Sequence, residues 1–347
     1  MDQKNLKIEN LKDEQRGLWD DYVDKHSQGT FFHLSGWKYV LEKTFGYQSF
    51  YLLATKESKV CGILPLFVVK SLLGGKALIS LPFAVYGGIC SDNEEVAKLL
   101  IKEAEKITKK SGSNYLELRH IKQSNLDMPY KNLYYTFIKE LPQQKEKCLA
   151  NLPRKARASA RKGIKSGLTS EFGINLVKEF YNIYAVSVRN LGSPVFSFQF
   201  LNNILNEFEK YSTILLTKYQ EKAIAGVFTF LYKESILPYF GGALPQYFEL
   251  QPNNFMYLKL MEYGVQSNCK YFDFGRSKKE TGPYYFKKNQ GFEPQLLFYE
   301  YYLNNIETMP DVSPLNPKVQ IAVKIWKKLP VWLTKIIGPK IVKLTPP

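Results

Sequence analysis

The chain has 347 residues, of which 45% are hydrophobic and 23% charged, and its formal net charge is +16. This length and composition are typical of a globular protein of about two domains, and they exclude wholesale disorder, collagen-like repeats and a disulfide scaffold. The excess of positive charge predicts an anionic partner, which would be nucleic acid, a phospholipid surface or a phosphorylated substrate.

Side chains that bind metals or form disulfides are few and scattered. The four cysteines are far apart in the sequence: Cys61, Cys90, Cys148 and Cys269. Such spacing fits a reducing cytosol and argues against a zinc ribbon. The three histidines, at 26, 33 and 120, have no metal-ligand neighbours, so we predict no metal site. Residues 1–16 lack the apolar core of a signal peptide, and we expect a cytoplasmic protein.

Helical and strand-like patterns follow one another in the first half of the chain. Apolar periodicity predicts helices over 13–25, 36–44 and 94–110. Alternating or continuous apolar runs predict strands over 50–54, 60–69, 77–86 and 115–119. The polar turn at 55–59 joins the first two strands into a hairpin.

The second half repeats this order. Helices are predicted over 176–191, 198–210 and 255–268, and strands over 213–217, 223–232, 235–241 and 271–274. Short matches support a duplication: Val60-Cys61-Gly62-Ile63 with Ile224-Ala225-Gly226-Val227, and Tyr86-Gly87-Gly88 with Phe240-Gly241-Gly242. The alternative is chance, because apolar-Gly patterns are common in strands. Two such units side by side would form a cleft that binds a ligand.

A basic segment at 153–165 has no acidic residue. On a helix its six cations share one side: Arg154, Lys155, Arg157, Arg161, Lys162 and Lys165. Small residues, among them Ala156, Ala160 and Gly163, occupy the other side and would let it approach a neighbouring element closely. We expect the cations to bind an anionic ligand, the alternative being an ordinary solvated surface.

A second basic segment, 314–347, carries seven lysines. In 318–329 the residues expected to share an apolar face are Val319, Ala322, Val323, Ile325, Trp326 and Leu329, with lysines opposite. A basic amphipathic helix with Trp and Ile is suited to an anionic membrane surface. The alternative is a helix docked on the body of the protein.

Standard catalytic motifs are absent from the sequence: there is no Gly-x-Ser-x-Gly, no Cys-x-x-Cys, no dinucleotide fingerprint and no P-loop. The run 271–277 stands out instead, because a predicted strand ends in Asp273 and is followed by Gly275 and Arg276. Lys287 and Lys288 come soon after and would place positive charge beside an oxyanion or phosphate. The alternative is a buried Asp-Arg pair that holds the loop.

Several blocks of sequence together resemble a known family. In the first half they are Phe32-His33-Leu34-Ser35-Gly36-Trp37, Leu64-Pro65-Leu66, Leu81-Pro82-Phe83, Tyr86-Gly87-Gly88 and 115–119. In the second half they are Arg154-Lys155-Ala156-Arg157, 189–196, Asn253-Asn254 and 272–294. The chain resembles FemAB-related proteins, peptidoglycan-bridge-type aminoacyltransferases, and particularly those associated with exosortase and exopolysaccharide gene clusters.

The resemblance implies an α+β fold of two tandem GNAT-like domains with mixed central sheets, at 1–148 and 149–305, followed by a basic tail at 306–347. It also implies transfer of an acyl group to an amine of a cell-envelope or polysaccharide precursor at the cytosolic membrane face. No cofactor is expected to be resident. The donor is aminoacyl-tRNA or acyl-coenzyme A, because the helical arm of some Fem ligases and the acetyl-coenzyme A loop pattern are both missing.

Roles follow for individual residues. Lys287 matches the family's lysine near the transferred carbonyl and would stabilise an oxyanion or phosphate, with Asp273 as orienting group or base. Arg119 and Arg276 would bind anionic substrate groups. The other expected substrate-binding residues are Trp37, Tyr86, Arg189, Tyr239, Asn254 and Tyr257. Arg154, Arg157, Arg161 and Lys165 would bind an anionic ligand. Since no histidine or cysteine is placed as a nucleophile, direct attack in a ternary complex is expected.

Two other functions compete with the enzyme. One is a non-catalytic protein that binds tRNA or other nucleic acid, indicated by the charge and the basic helix. The other is a membrane-surface scaffold of an envelope assembly system, indicated by the tail.

Overall fold

A computed structural model describes residues 6–71, 75–124, 126–310 and 317–345. These residues form two compact units. The first unit comprises 6–71, 75–124, 126–134, 296–310 and 343–345. The second comprises 135–295 and 317–342. Parts of two predicted segments, 1–5 of the N-terminus and 314–316 and 346–347 of the tail, lie outside the described residues.

Strands and helices follow the chain in this order. The strands are β1 (Leu6–Asn10), β2 (Gln48–Lys56), β3 (Lys59–Ser71), β4 (Gly75–Ile79), β5 (Cys90–Ser91), β6 (Tyr115–His120), β7 (Tyr130–Lys131), β8 (Tyr134–Thr136), β9 (Ile138–Glu140), β10 (Thr169–Phe172), β11 (Ser212–Tyr219), β12 (Lys222–Tyr232), β13 (Ser235–Ala243), β14 (Tyr271–Asp273), β15 (Ser277–Lys278), β16 (Gln295–Leu296) and β17 (Phe298–Leu303). The α-helices are α1 (Arg16–Lys25), α2 (Gly36–Phe45), α3 (Glu94–Lys110), α4 (Arg154–Lys165), α5 (Val177–Leu191), α6 (Phe198–Phe208), α7 (Pro252–Gln266), α8 (Gly282–Asn289), α9 (Pro317–Trp326) and α10 (Val331–Leu344).

Helix α3 shows how local sequence fixes an element. The side chain of Asn93 caps its start by accepting a hydrogen bond from the Val96 amide at 3.0 Å. Acidic residues occupy its first turn and lysines its last, which complements the helix dipole. Its apolar side, including Leu100 and Ala104, is buried in the core of the first unit. The prediction of this helix is confirmed at both ends.

The two predicted hairpins are also confirmed. β2 and β3 are joined by Glu57 and Ser58, whose φ angles are 49° and 65°. β11 and β12 are joined by Gln220 and Glu221, with φ angles of 48° and 63°. Two-residue turns with both φ angles positive match the twist of antiparallel strands, so both hairpins use the same turn geometry.

The sheets of the two units have the same design. The first runs β1-β2-β3-β4-β6-β17-β7, with β5 beside β3, and the second runs β10-β11-β12-β13-β14-β9. Each begins with four antiparallel strands, continues with a parallel pair (β4 with β6, β13 with β14) and adds an antiparallel strand (β17 or β9). β15, β8 and β16 form a third, small sheet. The predicted duplication and the mixed sheets are confirmed.

Two sequence-based boundaries need correction. The strand predicted over 77–86 ends at Ile79, because Leu81 and Phe83 have φ angles of 51° and 70°, which no strand accepts. Consequently Tyr86-Gly87-Gly88 lies beyond β4, whereas Phe240-Gly241-Gly242 lies within β13. The predicted second domain at 149–305 also changes, because β17 pairs with β6 and so belongs to the first unit. Residues 135–148 and 317–342 belong to the second unit.

Among the described residues, no helix is both long and apolar enough to cross a lipid bilayer.

Candidate functional site

The parallel strands β13 and β14 of the second unit stay together for only two register positions, Ser235 with Tyr271 and Ile236 with Phe272. β13 continues along β12 to its own end, whereas β14 ends at Asp273 and pairs on its other side with β9. The two strands are therefore paired only along the start of β13, and β14 ends at Asp273 one residue after the last pair. Ligands commonly bind at such strand ends.

Tyr257 of α7 packs against residues that follow β14. Its ring centroid lies 4.6 Å from that of Phe274 and 5.6 Å from that of Phe286. A Cβ atom at Gly241 would come within 3.3 Å of the Tyr257 hydroxyl oxygen, so the glycine leaves room for the phenol. Burial raises the pKa of Tyr257 to about 12, and the hydroxyl is therefore protonated at neutral pH and able to donate a hydrogen bond.

Lys287 of α8 reaches back to the loop that follows β14. Its Nζ donates hydrogen bonds to the carbonyl oxygens of Gly275 at 2.9 Å and Arg276 at 3.0 Å. The same atom lies 5.3 Å from the ring centroid of Phe137 and 5.7 Å from that of Phe274. Only 8% of Lys287 is exposed. An amine is thus held by two carbonyls and two aromatic rings beside the loop that follows β14.

The electrostatic state of Lys287 follows from this setting. Burial lowers its pKa from 10.5 to about 7, and the positive charge of Arg276 acts in the same direction. The carboxylate of Asp273 raises it, but by less than burial lowers it. Near neutral pH the amine therefore exists in both protonation states, which is characteristic of groups that take part in catalysis.

Asp273 holds the loop on which Lys287 rests. Its Oδ1 accepts hydrogen bonds from the Gly275 amide at 2.8 Å and the Thr136 hydroxyl at 3.3 Å, and the residue is 5% exposed. These contacts fix the carbonyl groups that receive the lysine. The carboxylate is therefore a positioning group for this loop, and its expected catalytic role as orienting group or base stays a prediction.

A chain of amides connects α7 with the end of α8. The Gln290 Nε2 donates to Asn254 Oδ1 at 2.6 Å, and Asn254 Nδ2 donates to Gln251 Oε1 at 3.1 Å. Gln290 is 2% exposed, and its Oε1 is buried without a hydrogen-bond partner among the described residues. Gln290 follows the last residue of α8, and sequence reasoning missed it.

The structure thus gathers five of the predicted residues around one loop of the second unit: Asp273, Arg276 and Lys287 with Asn254 and Tyr257 of α7. Two other residues of this unit that were predicted to bind substrate, Tyr239 and Arg189, lie elsewhere. Tyr239 is half-buried on β13, where its ring packs 4.4 Å from Phe240 and 5.4 Å from Phe230.

Arg189 has a structural contact instead of the predicted substrate contact. Its guanidinium Nη1 donates to the carbonyl oxygens of Leu329 at 2.9 Å and Lys327 at 3.3 Å, just beyond the end of α9. A cation at the C-terminus of a helix is favourable because carbonyl groups there lack partners. We therefore correct its assignment from substrate binding to attachment of the tail helices.

The predicted residues of the first unit are largely buried. Trp37 is 2% exposed, and its indole N–H donates to the Phe31 carbonyl at 3.2 Å, so it is a core residue and not a substrate contact. Arg119 is 1% exposed; it pairs with Glu117 at 2.8 Å and donates to the Ala84 carbonyl at 2.9 Å. Arg119 also lines the groove described next, so the structure gives it an ion pair, and its predicted binding of an anionic substrate stays a prediction.

Tyr86 borders a groove of about 550 Å³ in the first unit, together with His33 and His120. The ring of His120 lies between Glu300, whose Oε2 is 3.0 Å from Nδ1, and the Ile89 amide, which donates to Nε2 at 2.9 Å. Burial raises the pKa of Glu300, but hydrogen bonds from His120 and Ser124 outweigh it and lower the pKa overall. Both ring nitrogens of His120 are therefore engaged in holding the groove together.

Helix α4 carries the predicted basic surface. Arg154, Arg161 and Lys165 are exposed, while Arg157 is half-buried and donates to the Ala150 carbonyl at 3.2 Å. The small side of the helix is buried, and a Cβ atom at Gly163 would come within 2.9 Å of the Phe255 Cβ. The predicted close approach of this side to a neighbouring element, α7, is confirmed.

Comparison with known proteins agrees with the fold described above. Residues 147–288 match the family described as acetyltransferase (GNAT) domain. This match includes α7, β14 and the first residues of α8 up to Lys288, and hence the loop at Lys287. The chain has a tandem GNAT-like fold. No curated protein matches the chain significantly in sequence.

Solved structures resemble this GNAT-like chain over most of its length. FemX is similar with a TM-score of 0.66 and 14% identity, over 86% of this chain and 98% of FemX. The C-terminal domain of a putative lysylphosphatidylglycerol synthetase from Agrobacterium fabrum has a TM-score of 0.55 and 11% identity, covering 82% and 91%. A tandem GNAT protein of the clavulanic acid biosynthesis pathway has a TM-score of 0.53 and 10% identity, covering 88% and 100%.

Proposed function

We propose that the protein is an acyltransferase that transfers an aminoacyl or acetyl-type group to an amine of a cell-envelope or polysaccharide precursor. The observation that carries this proposal is Lys287: a buried amine with a pKa of about 7, held by the carbonyl groups of the loop that follows β14 in a GNAT-like unit. The resemblance to FemX and to a putative lysylphosphatidylglycerol synthetase supports an envelope precursor as acceptor.

The reaction needs little covalent chemistry from the protein. The acceptor amine attacks the carbonyl carbon of an ester or thioester, a C–N bond forms, and the C–O or C–S bond breaks. The amine proton leaves with the alcohol or thiol or passes to solvent. What the site must supply is a place for the developing oxyanion and alignment of the two substrates.

Lys287 supplies the first requirement. A protonated lysine has three N–H donors, and two of them bind the Gly275 and Arg276 carbonyls. The third remains for the oxyanion, in a position that Asp273 fixes through the loop. The hydroxyl of Tyr257, whose ring packs against Phe274, is a second donor. Arg276 adds positive charge for an anionic part of the substrate.

The donor is either aminoacyl-tRNA or acyl-coenzyme A. Both are polyanions, and the exposed cations of α4, which begin at Arg154, offer them a surface without acidic side chains in the helix. A direct test incubates the purified chain with radiolabelled aminoacyl-tRNA or acetyl-coenzyme A and amine-bearing envelope precursors. Mass spectrometry of the acceptor then identifies the transferred group.

The matched variants for this test are Lys287→Met and Lys288→Met. Lys288 is the exposed neighbour on the same helix. We expect the first variant to lose transfer by about 10²- to 10³-fold, as when one oxyanion donor is removed, and the second to keep it. Equal transfer by both variants would refute the role of Lys287.

A second function is favoured by α4 alone: binding of tRNA or another nucleic acid without catalysis. Salt-dependent binding of tRNA that weakens when Arg154 and Arg161 are replaced by Gln, with no product from any donor, would support it over the enzyme.

A further inference from the structure

Helices α9 and α10 are packed on the second unit by one side only. The Trp326 indole N–H donates to the Ser193 carbonyl at 2.9 Å, and the residue is 9% exposed. A Cβ atom at Gly192 would lie 2.5 Å from the Val323 Cγ1, and one at Gly338 would lie 2.9 Å from the Val195 carbonyl oxygen. Docking of the tail on the body, which the sequence left as one of two alternatives, is thus present in the structure.

This docking divides the apolar face predicted for α9. Val323 and Trp326 face the body, whereas Ile325, expected on the same side, points away and is 57% exposed. Ile321 precedes Ile325 by four residues and is 58% exposed. Since residues four apart share a helix face, α9 has a second apolar surface that no described residue covers.

Helix α10 has the same arrangement. Trp332 is 63% exposed and Ile336, four residues later, is 58% exposed, while Thr334, Gly338 and Val342 are buried. We call Ile321, Ile325, Trp332 and Ile336 the tail face. Among the described residues, eleven large hydrophobic side chains are exposed, and these four occur within sixteen residues of each other in sequence.

All the charged residues in the sequence segment that holds the tail face are lysines. Residues 317–345 contain seven lysines and no Asp or Glu. Lys324 follows Ile321 by three residues on α9, Lys328 lies in the turn after α9, and Lys340 follows Ile336 by four residues on α10. All three are exposed. Exposed Ile and Trp in a segment whose charged side chains are all lysines complement a surface with an apolar interior and negative headgroups.

We infer that the tail face binds the surface of a bilayer that contains anionic phospholipid, with its apolar side chains among the headgroups and its lysines against the phosphates. Apolar burial and electrostatic attraction act together at such a surface. Neither helix needs to leave the body, because the side that docks on the second unit and the side that meets the lipid are different. The binding surface does not depend on the transfer reaction, so either proposal can fail alone.

The experiment is co-sedimentation of the full chain with vesicles of phosphatidylglycerol and phosphatidylcholine, compared with phosphatidylcholine alone. We expect at least tenfold stronger binding to the anionic vesicles, reduced by 0.5 M salt. Replacing all four residues of the tail face by Ser should weaken binding at least tenfold. The matched control replaces three exposed hydrophobic residues elsewhere by Ser, Leu18, Tyr130 and Phe248, and should bind like the parent chain.

Tryptophan fluorescence gives a second measurement. Of the four tryptophans, Trp19, Trp37 and Trp326 are buried and Trp332 is exposed. Anionic vesicles should shift the emission to shorter wavelength and protect the exposed indole from a water-soluble quencher. Trp332→Phe should remove both effects while retaining most of the binding.

A charge variant keeps the inference testable if the serine variant does not fold. Replacing Lys324, Lys328 and Lys340 by Gln should lower binding to anionic vesicles at least fivefold and remove its salt dependence; the control replaces the exposed Lys56, Lys102 and Lys178. Equal binding by test and control variants would overturn the inference. So would a concentration-dependent dimer that the serine variant abolishes without any vesicle binding, since the tail face would then bind a second copy.

Discussion

Lys287 donates a hydrogen bond to the carbonyl oxygen of Gly275 at 2.9 Å, although twelve residues separate them in sequence. The contact joins α8 to the loop after β14 and places a buried amine at the end of a strand. Because the amine has little access to water, its protonation is easily changed near neutral pH. The titration of Lys287 can therefore be measured in three ways: by the pH dependence of transfer, by the pH dependence of stability and by the effect of replacing Asp273.

The pH dependence of transfer should report Lys287. If the ammonium form stabilises the oxyanion, the rate of transfer falls as pH rises through about 7. Lys287→Arg stays charged, so we expect a slower enzyme whose alkaline fall is absent. Steady-state rates from pH 5.5 to 9.5, with circular dichroism to verify folding, provide the measurement. An unchanged alkaline fall in the Arg variant would assign it to another group.

Stability should also depend on pH through Lys287. The folded state has a pKa of about 7 for this residue and the unfolded chain about 10.5, so between these values the unfolded state binds more protons. The free energy of unfolding therefore rises with pH across this window, by at most about 1.4 kcal/mol per pH unit, and is flat on either side. Urea unfolding of the parent chain and Lys287→Met should show this slope only in the parent. Parallel curves would contradict the buried titration.

Asp273→Asn should change both stability and the site. The substitution keeps an oxygen acceptor for the Gly275 amide but removes a charge, and we expect a loss of about 1–3 kcal/mol in the free energy of unfolding. It also removes the charge that raises the pKa of Lys287, so the alkaline fall of the rate should move to lower pH. A stability loss with an unmoved pH profile would limit Asp273 to a structural role.

Arg119→Met should destabilise the first unit. The substitution leaves Glu117 buried, with the Tyr301 hydroxyl donating to it at 2.9 Å as its remaining partner. Breaking one side of a buried pair costs about 3–5 kcal/mol. The double variant with Glu117→Gln should recover part of this in urea unfolding. A fully stable Arg119→Met chain with weakened substrate binding would restore the role expected from the sequence.

Arg189→Gln should loosen the tail without slowing transfer. The variant loses the bonds to the Lys327 and Leu329 carbonyls, so limited proteolysis between α9 and α10 should become several-fold faster. KM and kcat should stay within twofold of the parent, because the guanidinium holds the tail. Lys178→Gln, at an exposed position on the same helix, serves as control.

Local patterns predicted the elements well and their ends less well. Helix α3 was predictable because Asn93, the charges of its end turns and its apolar spacing all agree. The end of β4 was not, because Leu81 and Phe83 read as strand residues and only their positive φ angles show the break. β17 joins β6 through a pairing across almost two hundred residues, for which adjacent sequence holds no signal.

The candidate site was predictable to the extent that it lies in one continuous run. Asp273, Arg276 and Lys287 stand out in sequence and meet in the structure. The contacts of Arg119 and Arg189 were not predictable. The sequence does not show whether an arginine binds a ligand, a carboxylate such as Glu117 or the carbonyl groups at the end of a helix. Gln290 was missed because a single amide has no motif, and its burial becomes visible only when α8 is placed on α7.

The pairing of β17 with β6 also fixes an order of events during synthesis. A ribosome makes residues 115–120 long before residues 298–303, and everything between them includes the bulk of the second unit. Until Leu303 has emerged, the nascent first unit keeps an exposed strand edge, which is the feature that chaperones and aggregation both exploit. The sheet of the half that is translated first therefore stays incomplete until most of the second unit has been made.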